Sequence, residues 1–322
     1  MKVAVLRGGR SSEHDVSLRS GEAVAAGLEQ AGHEPLPIEI ARDGGWSFRG
    51  APVELQPAAG LFGADAAFPA LHGPFGEDGS VQGVLEWLDV PYVGSDVLAS
   101  AICMDKLTLK RLFAQGGLPQ VDFAAVGEEG WRERCEAMGT PLWVKPSRLG
   151  SSVGISRVES VGPELDAAVD LALRHDPRVI VEAHAEGREV ECSLLGNEEV
   201  ECSPPGEIVA QGEWYDYETK YRDGGMELVV PAPLDPEQTS RLQGLAARAF
   251  ELGGCAGLAR CDFFVEPGGR ILVNEVNTMP GFTQTSVYAK LWEAAGLAYP
   301  DLCDRLVHLA IDRHTKSRSH EF

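Results

Sequence analysis

The chain has 322 residues, of which 44% are apolar and 24% charged, a composition that predicts a globular protein of two or three domains. Its 49 acidic and 28 basic residues give a net charge of −21, which argues against a general nucleic-acid binder and against docking on an anionic membrane. No apolar run approaches the ~18 residues of a membrane span, and the apolar stretch 3–6 is too short for a signal peptide, so we expect a cytoplasmic protein.

The first 95 residues alternate between strand and helix patterns. We predict strands over 2–6, 35–40, 66–71 and 91–93, and helices over 17–31 and 81–88. This order implies a parallel sheet with helices on its faces, whose ligands bind beyond the carboxyl ends of the strands. The loops that begin at Gly8 and His72 follow two of those strands. The first loop lacks the G-x-G-x-x-G spacing, so a nicotinamide-dependent dehydrogenase is disfavoured.

After a predicted helix over 97–115, the pattern shifts toward strands. Strand-like segments follow at 142–145, 153–158, 179–184, 189–195 and 199–208. The rest of the chain is predicted as a polar loop over 211–225, a helix over 237–252, a hairpin of strands 258–265 and 270–276, helices over 284–295 and 300–314, and a frayed polar tail over 315–322. We place the domain boundaries near residues 95 and 181.

The strongest chemical signal is the predicted hairpin. A two-residue turn at Gly268-Gly269 pairs Asp262 with Glu275 and Arg260 with Asn277, and all four side chains then project from one face. The opposite face is predicted to be apolar, formed by Cys261, Phe263, Val265, Leu272 and Val276. Opposed carboxylates repel each other, and carboxylate and amide oxygens are ligands that magnesium accepts while it holds phosphates. A solvated face with ordinary salt bridges is the alternative.

A glycine- and serine-rich loop follows the strand that ends at Lys145. Backbone N–H groups of such a loop can close on phosphate oxygens, and the lysine adds a positive charge. The loop lacks the P-loop pattern and taken alone is typical of a hairpin turn. Together with the acidic hairpin downstream, it favours phosphate binding.

Four other positions stay open on the residues alone. Glu182, at the end of an apolar strand, is suited either to accept from a ribose or an adenine or to form a salt bridge. Lys106 is by default a solvated lysine. Glu13 either complements a helix dipole or holds a substrate ammonium, and His72 is either structural or part of a site.

Six segments, in this order, resemble the D-alanine–D-alanine ligases of the ATP-grasp superfamily: GGRSSEHDVSLRSG (8–21), LHGPFGEDGS (71–80), MDKLTLK (104–110), VKPSRLGSSVGIS (144–156), YDYETKY (215–221) and NEVNTMPGFTQTS (274–286). The resemblance extends from residue 3 to about residue 314. It implies a mixed α/β chain with the ATP-grasp fold: a Rossmann-like parallel-sheet domain (1–95), a central ATP-grasp subdomain (96–181), a C-terminal subdomain (182–314) with a lid loop (211–225), and a tail (315–322).

The resemblance also implies an activity. Members join two D-alanines through an acyl phosphate for peptidoglycan precursor synthesis, using ATP as co-substrate with two Mg²⁺ or Mn²⁺ ions, and a cytoplasmic homodimer is expected. The alternatives are a D-alanine–D-lactate ligase and a nucleotide-binding ATP-grasp protein without turnover. The lid residues Lys220 and Tyr221 favour the dipeptide ligase, because the depsipeptide enzymes usually differ there.

Site residues carry over from the resemblance position by position. The expected ATP-binding residues are Lys106, Lys145, Ser152, Glu182, Ala183, Ala185, Glu189 and Lys220. The expected catalytic residues are Glu13, His72, Ser151, Tyr221, Arg260 and Gly281. The substrate is expected to contact Glu13, His72, Arg260, Gly281 and Ser286. The metal ions are expected to bind Asp262, Glu275 and Asn277.

Overall fold

A computed structural model describes residues 1–57, 59–210 and 226–320, and the mixed α/β class is confirmed. The N-terminal sheet has the order β4-β3-β2-β1-β5, and β1 pairs in parallel with both β2 and β5. Its elements are β1 (Lys2–Gly8), α1 (His14–Gln30), β2 (Glu34–Ile40), β3 (Trp46–Phe48), β4 (Ala51–Pro52), β5 (Ala66–Pro69) and α2 (Ser80–Leu88). Because β1 and β5 are parallel neighbours, the loop after Gly8 and the loop after Pro69, which contains His72, lie together at the carboxyl ends of these strands. The predicted strand 91–93 forms only a single bridge, between Ala67 and Tyr92.

The helix predicted over 97–115 is broken into α3 (Val97–Met104) and α4 (Lys106–Gln115). Asp105 lies between them with extended backbone angles, and its side chain accepts from the Thr108 N–H as the N-cap of α4. The same carboxylate accepts from the Ser147 hydroxyl and pairs with Arg178. These tertiary contacts hold Asp105 in its capping conformation, which places Lys106 at the first position of a new helix.

The second sheet has the order β6-β9-β7-β8. Its elements are β6 (Phe123–Ala125), α5 (Trp131–Met138), β7 (Leu142–Pro146), β8 (Ser156–Val158), α6 (Pro163–Leu173) and β9 (Val179–Ala183). The predicted strand 153–158 begins only at Ser156, because the preceding loop turns through Ser151 and Ser152, both with positive φ. Strand β9 crosses the predicted boundary at residue 181, and the domain division itself stays a prediction.

The third sheet has the order β13-β12-β10-β14-β15, with β11 also paired to β10. Its elements, with the helices that follow them, are β10 (Arg188–Gly196), β11 (Val200–Cys202), β12 (Gly206–Ala210), β13 (Met226–Val229), α7 (Pro236–Leu252), β14 (Gly257–Val265), β15 (Ile271–Asn277), α8 (Val287–Ala294) and α9 (Tyr299–Arg318). The strand predicted over 199–208 is two strands, because Pro204 and Pro205 lack the N–H that a continuous ladder requires.

The last helix joins the two ends of the chain. Leu302, Leu306 and Val307 of α9 are fully buried against β1, β5 and α1 of the N-terminal sheet. The helix continues to Arg318, so the frayed tail predicted from residue 315 is wrong for these residues. Arg318 pairs with Glu86 and Asp89 at the end of α2, and its positive charge also suits a helix C-terminus. Within the described ranges, no helix is long and apolar enough to cross a membrane.

Candidate active site

A cavity of about 1100 Å³ is lined by strands of the second and third sheets, by α1 and by the loop that follows β5. Sixteen of the predicted site residues line it: Glu13, His72, Lys106, Lys145, Ser151, Ser152, Glu182, Ala183, Ala185, Glu189, Arg260, Asp262, Glu275, Asn277, Gly281 and Ser286. Lys220, Tyr221 and the predicted lid 211–225 lie outside the described residues. The structure therefore brings together every predicted site residue that it describes.

The hairpin pairs as predicted, but for a different reason. Asp262 lies opposite Glu275 and Arg260 opposite Asn277. The turn is longer than the two residues assumed, since the Glu266 N–H donates to the Arg270 carbonyl across three intervening residues. This shifts the register by one residue near the turn, and an irregularity between Asp262 and Phe263 shifts it back. The two deviations cancel at the acidic end.

The shift moves Leu272 to the opposite face from the one predicted. It pairs with Phe264 and packs with Val121, Ala183 and Ala185, whereas Val273 takes the predicted place in the core. All of this cluster except Leu272 lines the cavity. The result is an apolar wall at the cavity's edge, suited to a flat, apolar ring.

Three carboxylates form a row across adjacent strands. Glu191 of β10 lies opposite Asp262 of β14, which lies opposite Glu275 of β15. Arg260 binds Asp262 through two hydrogen bonds of 2.7 Å, and its Nε is 3.0 Å from a Glu191 carboxylate oxygen. Burial opposes the charge of Arg260, but Asp262 and Glu191 outweigh it and raise its pKa. Arg260 thus compensates Glu191 and Asp262 at one end of the row, and Lys106 lies beside Glu275 at the other end.

Lys106 reaches the cavity from the first turn of α4. Its Nζ donates to the Leu149 carbonyl at 2.9 Å and lies 3.5 Å from Glu275. Only 14% of its side chain is exposed, so the default of a solvated lysine is wrong.

Lys145 and Glu182 form a buried ion pair with a third partner, Lys110. The Lys145 Nζ is 2.6 Å from one Glu182 oxygen, and the Lys110 Nζ is 3.1 Å from the other. Burial by itself raises the pKa of Glu182, but the two lysines outweigh it and lower that pKa to about 2. The salt bridge that the sequence left open for Glu182 is therefore present.

The N-terminal loops close the other end of the cavity. The Ser151 hydroxyl donates to Glu13 at 2.5 Å, which ties the glycine- and serine-rich loop to the start of α1. His72 is buried between the Ser20 hydroxyl, 2.8 Å from its Nε2, and the Met279 carbonyl, 3.1 Å from its Nδ1. Burial lowers the pKa of His72, which favours the neutral ring.

The segment after β15 supplies the remaining predicted residues. The Thr283 N–H donates to the Ser286 hydroxyl at 3.0 Å, and the Thr283 hydroxyl lies 2.8 Å from it. Gly281 lies against Ser286, since a Cβ built there comes within 3.4 Å of the serine oxygen. This arrangement leaves the Gly281 backbone beside the cavity and a hydroxyl next to it.

Three cavity or cavity-supporting residues were not predicted. Glu191 follows Glu189 by two positions in a strand, so strand alternation places both on one face. Lys110 lies one helical turn after Lys106, a spacing that puts both on one side of α4. Glu77, in the quoted segment 71–80, accepts from the Gly73 N–H at 2.6 Å, and burial together with Glu13 raises its pKa.

The donor chemistry of the hairpin fits a hard divalent cation. Asp262, Glu275 and Asn277 offer two carboxylates and one amide oxygen on one face. Among the described side chains, no three His, Cys, Asp or Glu residues converge closely enough to hold a metal by themselves. Magnesium is commonly held in proteins by one or two carboxylates together with water and substrate phosphates, a pattern that these donors match.

Comparison with known proteins extends over nearly the whole chain. A family model described as "D-ala D-ala ligase N-terminus" matches residues 2–60 and 51–95, and one described as "D-ala D-ala ligase C-terminus" matches residues 112–308. The D-alanine–D-alanine ligase of Deinococcus radiodurans is 46% identical over 97% of this chain and 98% of its own. That of Geobacillus kaustophilus is 42% identical over 99% and 96%.

Solved structures agree with the family models. The D-alanine–D-alanine ligase of Coxiella burnetii has a TM-score of 0.90 and 36% identity, covering 99% of this chain and 96% of its own. The VanG D-Ala:D-Ser ligase of Enterococcus faecalis has a TM-score of 0.86 and 34% identity, covering 96% and 99%.

Proposed function

The chain belongs to the D-alanine–D-alanine ligase family, and from that premise we propose that it joins two D-alanines while ATP is converted to ADP and phosphate. Structural similarity to a solved D-alanine–D-alanine ligase confirms the ATP-grasp fold that the sequence predicts. One observation carries the proposal: a single cavity combines buried lysines, an acidic hairpin and, at its far end, a separate carboxylate, Glu13. The product serves peptidoglycan precursor synthesis.

We assign the nucleotide to the end of the cavity beside β9 and the hairpin. Glu182, Glu189 and two residues of the apolar wall, Ala183 and Ala185, are proposed to hold adenosine. Glu182 also anchors the neighbouring Lys145. Lys106, Lys145 and Ser152 face the phosphates. Asp262, Glu275 and Asn277 would hold two magnesium or manganese ions, which when bound neutralise phosphate charge during transfer.

We assign the D-alanines to the end near Glu13. That carboxylate, oriented by Ser151, holds the ammonium of the first D-alanine, and His72 lies beside it. Ser286 receives the carboxylate of the second. Lys220 and Tyr221 of the lid are proposed to reach the γ-phosphate and the Glu13–Ser151 pair, respectively, and the lid keeps water from the intermediate.

The proposed reaction has two steps and needs no protein nucleophile. The carboxylate of the first D-alanine attacks the γ-phosphorus of ATP, which gives an acyl phosphate and releases ADP; positioning and positive charge carry this step. The deprotonated amine of the second D-alanine then attacks the acyl carbon. Arg260 and the Gly281 N–H stabilise the oxyanion of the tetrahedral intermediate, which expels phosphate.

A coupled assay of ADP release tests the proposal. We expect turnover with D-alanine and magnesium, none with L-alanine, loss on chelation of the metal, and D-alanyl-D-alanine as the product by mass spectrometry. Adding D-lactate or D-serine beside D-alanine tests for a depsipeptide or D-alanyl-D-serine product. Nucleotide binding without ADP release would favour the non-catalytic alternative instead. We further propose a cytoplasmic homodimer, to be checked by light scattering and by cell fractionation.

A further inference from the structure

One buried carboxylate is shared between a lysine that lines the cavity and a lysine that does not. Lys145 lines the cavity, whereas Lys110 lies behind it, and both bind Glu182. The exposed fractions of the Lys110 and Glu182 side chains are 2% and 3%, so neither exchanges this partner for bulk water. Burial lowers the pKa of Lys110 despite the attraction of Glu182. Burying the Lys110 ammonium costs desolvation free energy, so a role that offsets this cost is expected.

The cost of an unpaired Glu182 indicates that role. In the proposed function, Lys145 turns toward a nucleotide phosphate and gives up at least part of its contact with Glu182. A buried carboxylate that loses its only partner is strongly destabilised. Lys110 binds the other oxygen of the same carboxylate and makes no contact with the cavity. Glu182 therefore keeps one counter-charge while Lys145 moves.

We propose that Lys110 is a positioning residue for nucleotide binding: it keeps Glu182 compensated, so that the Lys145 ammonium is free to leave that carboxylate for phosphate. Without Lys110, Lys145 is the one cation that the described residues leave beside the buried Glu182 carboxylate, and it stays locked on that carboxylate. The inference rests on the proposed function for the identity of the ligand. The positioning role of Lys110 differs from a packing role, because its effect on nucleotide affinity requires the negative charge of Glu182.

The test measures ADP affinity by titration calorimetry with magnesium present and D-alanine absent. We expect Lys110→Met to weaken ADP binding about 10-fold or more, a change of about 1.4 kcal/mol or more. Glu182→Gln removes the charge that locks Lys145, so Lys110→Met/Glu182→Gln is expected to bind ADP as tightly as Glu182→Gln alone. The matched control is Arg111→Met, the adjacent basic residue of α4, which is exposed and pairs with Glu128; its ADP affinity is expected to stay within about twofold of the original.

Two results overturn the inference: unchanged ADP affinity in Lys110→Met, or an equal loss on removing Lys110 with and without the Glu182→Gln substitution. If Lys110→Met does not fold, Glu182→Gln and the double variant decide alone, since any further loss on removing Lys110 contradicts the proposal. Lys110→Arg keeps the charge and is expected to retain ADP affinity within about threefold. A protein that binds ADP but forms no dipeptide defeats the proposed function and leaves this test intact.

Discussion

Replacing Arg260 by alanine separates its proposed role at the oxyanion from a role in nucleotide binding. The loss of one preorganised donor to a developing oxyanion lowers turnover by about 10²–10³. The structure adds a second effect. Glu191 and Asp262 lie directly opposite on β10 and β14, and Arg260 contacts both. Without it the two carboxylates repel each other. Because these side chains are at most 18% exposed and Asp262 keeps its hydrogen bond from Asn277, we expect a loss of about 1–3 kcal/mol in the free energy of unfolding.

The assays are steady-state turnover, calorimetric ADP–magnesium affinity and urea unfolding of the protein without ligands. ADP affinity is expected to stay the same or rise, because Asp262 loses a cation that competes with magnesium for its oxygens. Arg270→Ala is the matched control, since Arg270 lies at the exposed end of the same hairpin and pairs with Glu266. Equal losses of ADP affinity and turnover in Arg260→Ala would refute the oxyanion role.

Three further predictions test the site and the core. Ser151→Ala removes a hydrogen bond to Glu13 and is expected to raise the KM for D-alanine about 10-fold with ADP affinity unchanged, measured by steady-state kinetics and calorimetry; an unchanged KM contradicts the substrate role. Glu182 has its pKa lowered to about 2, so the stability it contributes is present above its ordinary value of 4.5 and is lost as the pH falls toward 2. Urea unfolding measured at a series of acid pH values checks this: the decrease in the free energy of unfolding as the pH falls is expected to be ~3 kcal/mol smaller in Glu182→Gln than in the original protein. Leu306→Ala leaves a cavity where α9 meets the N-terminal sheet and is expected to cost about 2–5 kcal/mol, against under about 1 kcal/mol for Leu171→Ala on an exposed face.

In the acidic hairpin, the sequence pattern predicts the right pairing of Asp262 and Glu275 although it predicts the wrong length for the turn. The spacing of two strands around two glycines predicts that Asp262 pairs with Glu275. The loop is one residue longer, and the irregularity beyond Asp262 compensates for it. Alternation predicts which residues share a face only between such irregularities, so Leu272, beyond the irregularity, was assigned to the wrong face.

The broken helix at Asp105 has a different cause. Its sequence is compatible with one continuous helix, and the capping preference of Asp is weak evidence for a break by itself. The break is stabilised by Ser147 and Arg178, which are distant in the chain. Their contacts favour the capping conformation over helix, and Lys106 reaches the cavity as a consequence.

The sequence by itself determined the α/β order and the six segments that mark the family, because these depend on short-range periodicity and on residues at fixed spacing. Only the tertiary structure decided which charges share a partner: Glu191 and Asp262 around Arg260, and Lys110 and Lys145 around Glu182. Each of these groupings joins residues from separate elements of the chain. Their pairing depends on burial, which makes an unpartnered charge too costly to keep, and burial exists only once the sheets have packed.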